Sequence, residues 1–550
     1  MSLKAQAVCP VPQETARVAR AAYPKGTIYM QMRDVLGRIY TDEQFANLFP
    51  KEGQPAEAPW RLALVTVIQF VENLSDQRTA SAVRGRIDVK YLLGLELTDA
   101  GFDPSVLSEF RTRLVEQHAE QRLLETMLTL FQHKGWLKAR GRQRTDSTHV
   151  LAKIRALNRV LCVWETMRAA LNSLAIVAPD WLRAHSQPEW VERYGPRSEE
   201  SHIPLGENAR VAFAEEIGAQ GRELLDALFD PSAPQWLRQV PAVNILRQVW
   251  VQNYQRIDDA VRWRSSEHMP PGSHYMSSPY DEDAHYSKKR STTWVGYKVH
   301  VTESCEAHLP LIITHVETTS APVSDDAMTA TIHAELDRKE LLPTQHLVDT
   351  GYVHAKLLVE SERDYQIDLV GPTRKNYHWQ ATQHTGFDSD HFLVDWELQQ
   401  ATCPEGHISS SWPPAIDSRT NEVIKIKFST QDCQACPSRS LCTQSIRHTR
   451  RTVTIRPHEQ YLALKERREQ EKTKEFTQVY VKRAGIEDTI SHGVRVMGMR
   501  RSRYIGQEKT HLQHVATAAA LNVVRSLAWF NGVPRAQTRR STFARLYDAA

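Results

Sequence analysis

The feature that most constrains the fold is a short apolar run that ends in a carboxylate. Residues 345–348 (Gln-His-Leu-Val) lead into Asp349, a glycine turn at Gly351 and a helix-like segment at 353–360. This order predicts a buried strand, a turn and a helix. Because open α/β sheets bind their ligands at the carboxyl ends of the strands, Asp349 is a candidate for chemistry. The alternative role of Asp349 is to cap the following turn or helix.

The length and the distribution of charge narrow the class of protein. A chain of 550 residues exceeds what one hydrophobic core can serve, so two or more domains are expected. The net charge is only +4, yet residues 443–510 hold sixteen Lys and Arg against eight Asp and Glu. That local excess of positive charge favours a polyanionic partner such as nucleic acid. The alternative is a charged helix face that is simply exposed to solvent.

Nothing in the sequence predicts export or insertion into a membrane. The first thirty residues lack the apolar core of a signal peptide, and the apolar run at 62–71 is too short to span a bilayer. Seven cysteines without an export signal argue against a disulfide framework. We therefore expect a cytoplasmic protein, associated with the nucleoid if its partner is DNA.

The pattern along the chain predicts an α/β protein with a mixed sheet flanked by helices. Helices are expected at 60–71, 74–80 and 103–114. Strands are expected at 145–152, which carries Asp146, and at 294–302, 308–316, 345–349 and 367–370. A helix from a Ser324-Asp325-Asp326 cap to residue 336 separates the third and fourth strands.

The predicted domains follow from changes in composition. Residues 153–285 hold six of the thirteen tryptophans in helical segments broken by proline, which indicates an insertion after the first strand. The expected divisions are a helical N-terminal domain at 1–135, the first core strand at 136–152, the insertion at 153–285, the continued core at 286–375, a Cys-rich insertion at 376–450, C-terminal core helices at 451–535 and a tail at 536–550.

Four cysteines cluster in the region after the sheet. Cys403 lies in a Cys-Pro-Glu-Gly-His stretch, and Cys433, Cys436 and Cys442 follow. A Cys-x-x-Cys pair with two further cysteines nearby fits a closed tetrahedral zinc site of structural type, in which His407 could replace one thiolate. The alternative is four reduced thiols that pack a small subdomain.

A third acidic residue stands within the basic region. Tyr480, Arg483 and Glu487 have the i, i+3, i+7 spacing of one helix face, which would present a hydroxyl, a guanidinium and a carboxylate together. An ordinary surface ion pair between Arg483 and Glu487 is the alternative. Arginines follow closely at 495, 500, 501 and 503.

Taken together, these short motifs resemble one family. The chain is similar over roughly residues 30–535 to the bacterial insertion-sequence DDE transposases that have a ribonuclease-H-like core and a helical N-terminal domain. The resemblance is carried by Arg-Thr-Ala at 78–80, Tyr-Leu-Leu-Gly-Leu at 91–95, Ser-Glu-Phe-Arg at 108–111, Thr-Asp-Ser-Thr at 145–148, Gly-Tyr-Lys-Val-His at 296–300, Val-Asp-Thr-Gly-Tyr at 348–352, the cysteine elements and Tyr480-x2-Arg483-x3-Glu487.

The resemblance implies a ribonuclease-H-like, five-stranded mixed sheet and a catalytic triad of Asp146, Asp349 and Glu487. These acids would bind two Mg²⁺ ions, for which Mn²⁺ would substitute, about 3.5–4 Å apart. The family's lysine seven residues past the glutamate is Val494 here, with Arg495 beside it. Asp488 rivals Glu487 as third ligand, but it points away from the Tyr480 and Arg483 face.

The resemblance also implies the partners and the reaction. Tyr480 and Arg483 would grip the transposon end, and Arg495, Arg500 and Arg501 would contact DNA. The substrate would be double-stranded DNA, both the terminal inverted repeats and the target, cut by water and then joined through the freed 3′-hydroxyl. A homodimer is expected, because two ends must be brought together.

Two other functions remain open on the sequence. Asp349-Thr350-Gly351 matches the aspartic-protease triplet, but a second such triplet is absent from the sequence. A DNA-end-binding protein without catalysis, from a decayed element or a regulator, would retain the basic helices.

Overall fold

The N-terminal region is helical, as predicted. The computed structural model describes residues 2–4, 9–155, 157–272, 274–383, 386–445 and 450–535. The first helices are α1 (Gln13–Ala22), α2 (Ile28–Gln31), α3 (Pro59–Val71), α4 (Asp76–Gly85), α5 (Ile87–Leu93), α6 (Ser105–Glu116) and α7 (Arg122–His133). The apolar α3 is buried along nearly its whole length, and the Ser75 side chain caps α4 by accepting from the Arg78 N–H.

The first core strand is followed by a helical insertion with its own hydrophobic core. After β1 (Arg142–Leu151) come α8 (Arg159–Val177), α9 (Pro179–His185), α10 (Pro188–Tyr194), α11 (Glu207–Phe229), α12 (Pro241–Asn253) and the hairpin β2 (Tyr254–Ile257) with β3 (Ala260–Trp263). Within the described residues, α8 alone is long and apolar enough to cross a bilayer, but half of that apolar stretch is buried in the protein.

The chain then returns to the sheet. Its elements are β4 (His285–Lys289), β5 (Thr292–Ser304), β6 (Ile313–Ser320), α13 (Asp326–Arg338), β7 (Gln345–Leu347), α14 (Ala355–Tyr365) and β8 (Asp368–Val370). The strands β6, β5 and β1 are antiparallel, and β7 and β8 continue the sheet in parallel with β1. The predicted five-stranded, ribonuclease-H-like mixed sheet is confirmed, and β4 adds a sixth strand beside β5 that the sequence did not predict.

Two local predictions around the sheet were wrong. The strand expected at 308–316 lies at Ile313–Ser320, because residues 305–311 form a loop closed by the Ser304 N–H to the Ile312 carbonyl. The Asp325 side chain does not cap α13. Its carboxylate accepts hydrogen bonds from Ser147 and Lys298 of the sheet instead.

The remaining chain forms a small β-rich region and the last helices. These elements are α15 (Trp379–Thr382), β9 (Leu393–Asp395), β10 (Gln400–Thr402), β11 (Pro414–Ile416), β12 (Glu422–Lys427), α16 (Thr430–Ala435), α17 (Arg439–Cys442), β13 (Thr452–Ile455), α18 (His458–Gln470), α19 (Lys474–Tyr480), α20 (Ile486–Val496) and α21 (Gln507–Phe530). Helix α21 packs between the N-terminal helices and β6, so these helices share one core with the sheet.

Candidate active site

Two of the predicted acids belong to neighbouring parallel segments, with Asp146 within β1 and Asp349 two residues past the end of β7. In the β1–β7 pairing, Arg144 lies opposite Leu347. Asp146 lies two residues past Arg144, and Asp349 lies two residues past Leu347, close enough for the charge of Asp349 to act on Asp146. Neighbouring strands are roughly 4.8 Å apart, which brings the two backbones within reach of one small ligand. Sequence positions two hundred residues apart are thus joined by the sheet.

The Asp146 carboxylate is buried and strongly perturbed. Its side chain is 13% exposed, and its oxygens accept from the Ser147 N–H at 2.8 Å and from the Arg483 guanidinium at 2.6 Å. Burial is the main cause that raises the pKa of Asp146 to about 6; the neighbouring Asp349 charge acts in the same direction, whereas Arg483 and Lys289 oppose the rise. A buried acid with a raised pKa and a specific charge partner is a candidate for a functional site.

Asp349 is held by the turn that follows it. One carboxylate oxygen accepts from the Gly351 N–H at 2.8 Å, which begins a 3-10 turn at Thr350–Tyr352. The capping alternative is therefore correct as a local description, but it uses one oxygen and leaves the other available. A β-carbon placed on Gly351 would lie 2.8 Å from Asp349 Oδ1 and 3.0 Å from Asp325 Oδ2, so a larger residue here would displace these carboxylates.

The third predicted acid is joined to the pair through an arginine. Arg483 donates to Glu487 at 3.1 Å as well as to Asp146, and its side chain is 14% exposed, whereas Glu487 is 66% exposed. The third nitrogen of the guanidinium, Nε, is buried and has no hydrogen-bond partner among the described residues. Within the described ranges no three Asp, Glu, His or Cys side chains stand close enough to hold a metal ion. Arg483 thus lies where a cation shared by Asp146 and Glu487 would lie.

Tyr480 completes the arrangement, although the predicted continuous helix was wrong. Helix α19 ends at Tyr480, a 3-10 segment spans Val481–Gly485, and α20 begins at Ile486. The 3-10 geometry aligns residues three apart, so Tyr480 and Arg483 still project together. Burial raises the pKa of Tyr480, and the charges of the three acids raise it further against the opposing effect of Arg483. The Tyr480 side chain is therefore close enough for the charges of all three acids to act on it.

A buried glutamate anchors the helix that carries Glu487. Glu303 on β5 is fully buried and accepts from Arg144 at 2.5 Å, from Arg525 at 2.7 Å and from the Thr489 hydroxyl at 2.6 Å. Arg144 also donates to the Lys482 carbonyl. These bonds hold β1, β5, α20 and α21 together. They thereby help to fix the position of Glu487 relative to the sheet.

Sequence reasoning missed a fourth acid at the site. Asp325 accepts from Ser147 at 3.1 Å and from Lys298 at 2.9 Å, and its side chain is 10% exposed. Burial opposes ionisation, but Lys298 and its neighbours hold the pKa of Asp325 below its usual value. Its only signal was a Ser-Asp-Asp triplet before a helix, which is also what a cap looks like.

The predicted DNA-contacting arginines lie on two surfaces. Arg495 is exposed on α20 and lines a groove of about 790 Å³ together with Arg525, Arg535 and Asp488. That position turns Asp488 away from Asp146, which favours Glu487 as the third acid. Arg500 donates to the Thr148 hydroxyl at 2.7 Å, two residues beyond Asp146, and Arg501 is exposed beside it.

The four clustered cysteines line one small cavity. Cys403, Cys433, Cys436 and Cys442 share a pocket of about 30 Å³ with His407, and Cys403 heads a tight turn closed by the Gly406 N–H. Burial is the main cause that raises the pKa of Cys442 to about 11; Arg451 opposes the rise, and the other three thiols add to it. The four sulfurs suit a structural zinc ion in type and number, although no three of them lie within joint binding distance of one ion.

Two family models match the chain. The Transposase DDE domain matches residues 402–527, and the Transposase domain (DUF772) matches residues 17–113. The first range includes Glu487 and the four cysteines, whereas Asp146 and Asp349 lie between the two ranges. No curated protein matches the chain. The matches thus cover the N-terminal helices and the C-terminal part of the core.

Proposed function

From the premise that this chain is an insertion-sequence DDE transposase, we propose that it cuts DNA at the ends of its element and joins the freed strand to target DNA. The premise rests on the two transposase-domain matches and on the ribonuclease-H-like sheet. The proposal goes further, to a reaction and to the residues that perform it.

The observation that carries the proposal is the meeting of Asp146 and Asp349 with the Arg483–Glu487 pair. Asp146 lies on β1 and Asp349 lies two residues past β7, the parallel neighbour of β1, and Arg483 bridges Asp146 to Glu487. The charge of Asp349 disfavours ionisation of Asp146, so the grouping of these two acids favours a site that binds cations.

The donors at this site fit Mg²⁺, with Mn²⁺ as a substitute. Carboxylate oxygens are the ligands that hard divalent cations prefer, and the pKa of Asp146 stays raised by burial even though Arg483 pairs with it. We assign Asp146, Asp349 and Glu487 as the residues that would hold two ions. When bound, such ions activate the attacking oxygen and stabilise the leaving oxygen of a phosphodiester.

The chain's own residues position the DNA. Arg483 would exchange its bonds to Asp146 and Glu487 for a phosphate of the transposon end, which frees both acids. Tyr480 stands beside it as a second contact. In the first step water attacks the phosphorus and releases a 3′-hydroxyl. In the second step that hydroxyl attacks a target phosphodiester. A bond forms between the 3′-oxygen and the target phosphorus as the target's own phosphorus–oxygen bond breaks.

Further partners follow from the same reaction. Arg495, Arg500 and Arg501 are proposed to contact the backbones of the inverted repeats and of the target. A homodimer would hold two ends at once on the nucleoid. A structural Zn²⁺ held by Cys403, Cys433, Cys436 and Cys442 would fix the small β-rich region beside the site.

The experiment is metal-dependent cleavage of duplex DNA that carries the element's own ends. The wild-type protein should nick the ends with Mg²⁺ or Mn²⁺ and not with EDTA. Asp349→Asn should lose cleavage by at least about 10³-fold yet bind DNA normally, because electrostatic stabilisation of the transition state is the largest catalytic effect. Asp180→Asn, on the exposed surface of the insertion at 93% exposure, is the matched control.

Each rival function predicts a different result. A protein that only binds DNA ends would bind the duplex and never nick it. An aspartic protease would cleave peptides at low pH without metal. Full cleavage by Asp349→Asn would refute the assignment of this acid.

A further inference from the structure

Strand β4, which the sequence did not predict, ends in a basic tip of three residues beside the candidate site. Hairpin β4–β5 turns at Arg290, whose φ of 57° is left-handed, and Lys288, Lys289 and Arg290 are all exposed. In the described part of the chain, neither Lys288 nor Arg290 pairs with an acid. Successive side chains of a strand point to opposite faces, so Lys288 and Lys289 project in opposite directions.

Lys289 is the member of the tip that faces the acids. Its ammonium lies 3.8 Å from Asp325 Oδ2, and its side chain is 58% exposed. Its charge lowers the pKa of both Asp325 and Asp146, although other neighbours have larger effects. This lysine therefore stands at the solvent side of the carboxylates, where a DNA strand would have to approach.

Asp325 holds two lysines in different ways. Lys298 is 12% exposed, donates to Asp325 at 2.9 Å and donates to the Val323 carbonyl at 2.6 Å. Lys289 approaches Asp325 only at 3.8 Å, beyond hydrogen-bond distance. If Lys289 leaves, Lys298 still neutralises Asp325, so the site loses little by releasing its exposed cation.

We propose that Lys289 is a further DNA contact, which moves from Asp325 to a phosphate of the strand held against Asp146 and Asp349. The inference rests on the proposed function, since it needs a DNA strand at the acids. A lysine binds phosphate as a point charge, so the contact would be independent of base sequence.

The test measures binding of a random-sequence DNA duplex in EDTA, where no cleavage occurs, over a series of salt concentrations. One lost phosphate contact reduces the slope of log K against log salt by about 0.9, which is about fivefold in affinity near 0.15 M salt. Lys289→Ala should show this loss and Lys289→Arg should restore binding. Lys288→Ala removes an equal charge from the other face of the strand and should leave the slope unchanged.

The outcomes separate this inference from the proposed function. Circular dichroism should show equal melting temperatures for all variants, because Lys289 is mostly exposed. An unchanged slope for Lys289→Ala beside a wild-type protein that binds DNA would overturn the inference alone. Equal losses of DNA affinity for Lys288→Ala and Lys289→Ala would show that only the overall positive charge of the tip matters. That result would overturn the inference as well. A wild-type protein that binds no duplex would contradict both proposals.

Discussion

The acids of the site are held in two different ways. Asp146 lies on β1 and Asp349 lies two residues past β7, the parallel neighbour of β1, so strand pairing and the turn after β7 hold these two acids. Glu487 lies at the start of α20 after a 3-10 segment, is 66% exposed, and is positioned by Arg483 and by the Glu303 network beneath the helix. The sheet thus supplies a rigid half of the site, and side-chain bonds supply an adjustable half.

The largest expected effect comes from changing the length of an acid on each half. Asp349→Glu should reduce cleavage by about 10²-fold or more. The longer side chain displaces the carboxylate by about an ångström, and the rigid sheet cannot shift to compensate. Glu487→Asp should lose only about tenfold, since α20 can shift toward the sheet. The comparison is measured as single-turnover cleavage of end-carrying DNA. Equal losses for the two variants would contradict the division into rigid and adjustable halves.

The next prediction tests what supports the adjustable half. Glu303→Gln removes a fully buried charge that Arg144 and Arg525 share, and breaking such a pair from one side costs about 3–5 kcal/mol. The free energy of unfolding, measured with urea, should fall by about that amount. Glu508→Gln, on the exposed first turn of α21, is the control and should change stability by less than about 0.5 kcal/mol. A stable Glu303→Gln protein would show that the network does not hold α20.

The smallest predicted effect is a dependence of metal affinity on pH, which Asp146 in the rigid half should cause. Burial raises the pKa of Asp146 to about 6, so this acid takes up a proton as the pH falls through 6 and ceases to be a metal ligand. Affinity for Mn²⁺, measured by titration calorimetry, should be about tenfold weaker at pH 5 than at pH 7. An affinity that stays constant over this range would show that Asp146 does not bind the ion.

The sequence predicted the rigid half better than the adjustable half. Asp349 could be found because a buried strand, a glycine turn and a helix form one local pattern. Its neighbour Asp146 had only a weak local signal, and the parallel pairing that joins them is a long-range property. Glu487 was predicted from its spacing to Tyr480 and Arg483 and stays a prediction, and the continuous helix assumed for that spacing is interrupted.

The elements that were missed share a physical reason. The residues of β4 are mostly polar, so they carry no apolar pattern, and the strand is held by its hairpin with β5. Asp325 was interpreted as a cap because caps and site residues use the same side chains at the same turns. What distinguishes them is the partner, and Lys298 and Ser147 are distant in sequence.

The central claim is that Asp146, Asp349 and Glu487 bind the same pair of metal ions. A crystal structure of the protein with Mn²⁺ and DNA carrying the element's end tests it directly, because anomalous scattering locates manganese. The account predicts two anomalous peaks about 3.5–4 Å apart between Asp146 and Asp349, with Glu487 on one ion and Arg483 moved to a phosphate. Peaks elsewhere, or Arg483 still bound between Asp146 and Glu487 with DNA in place, would contradict it.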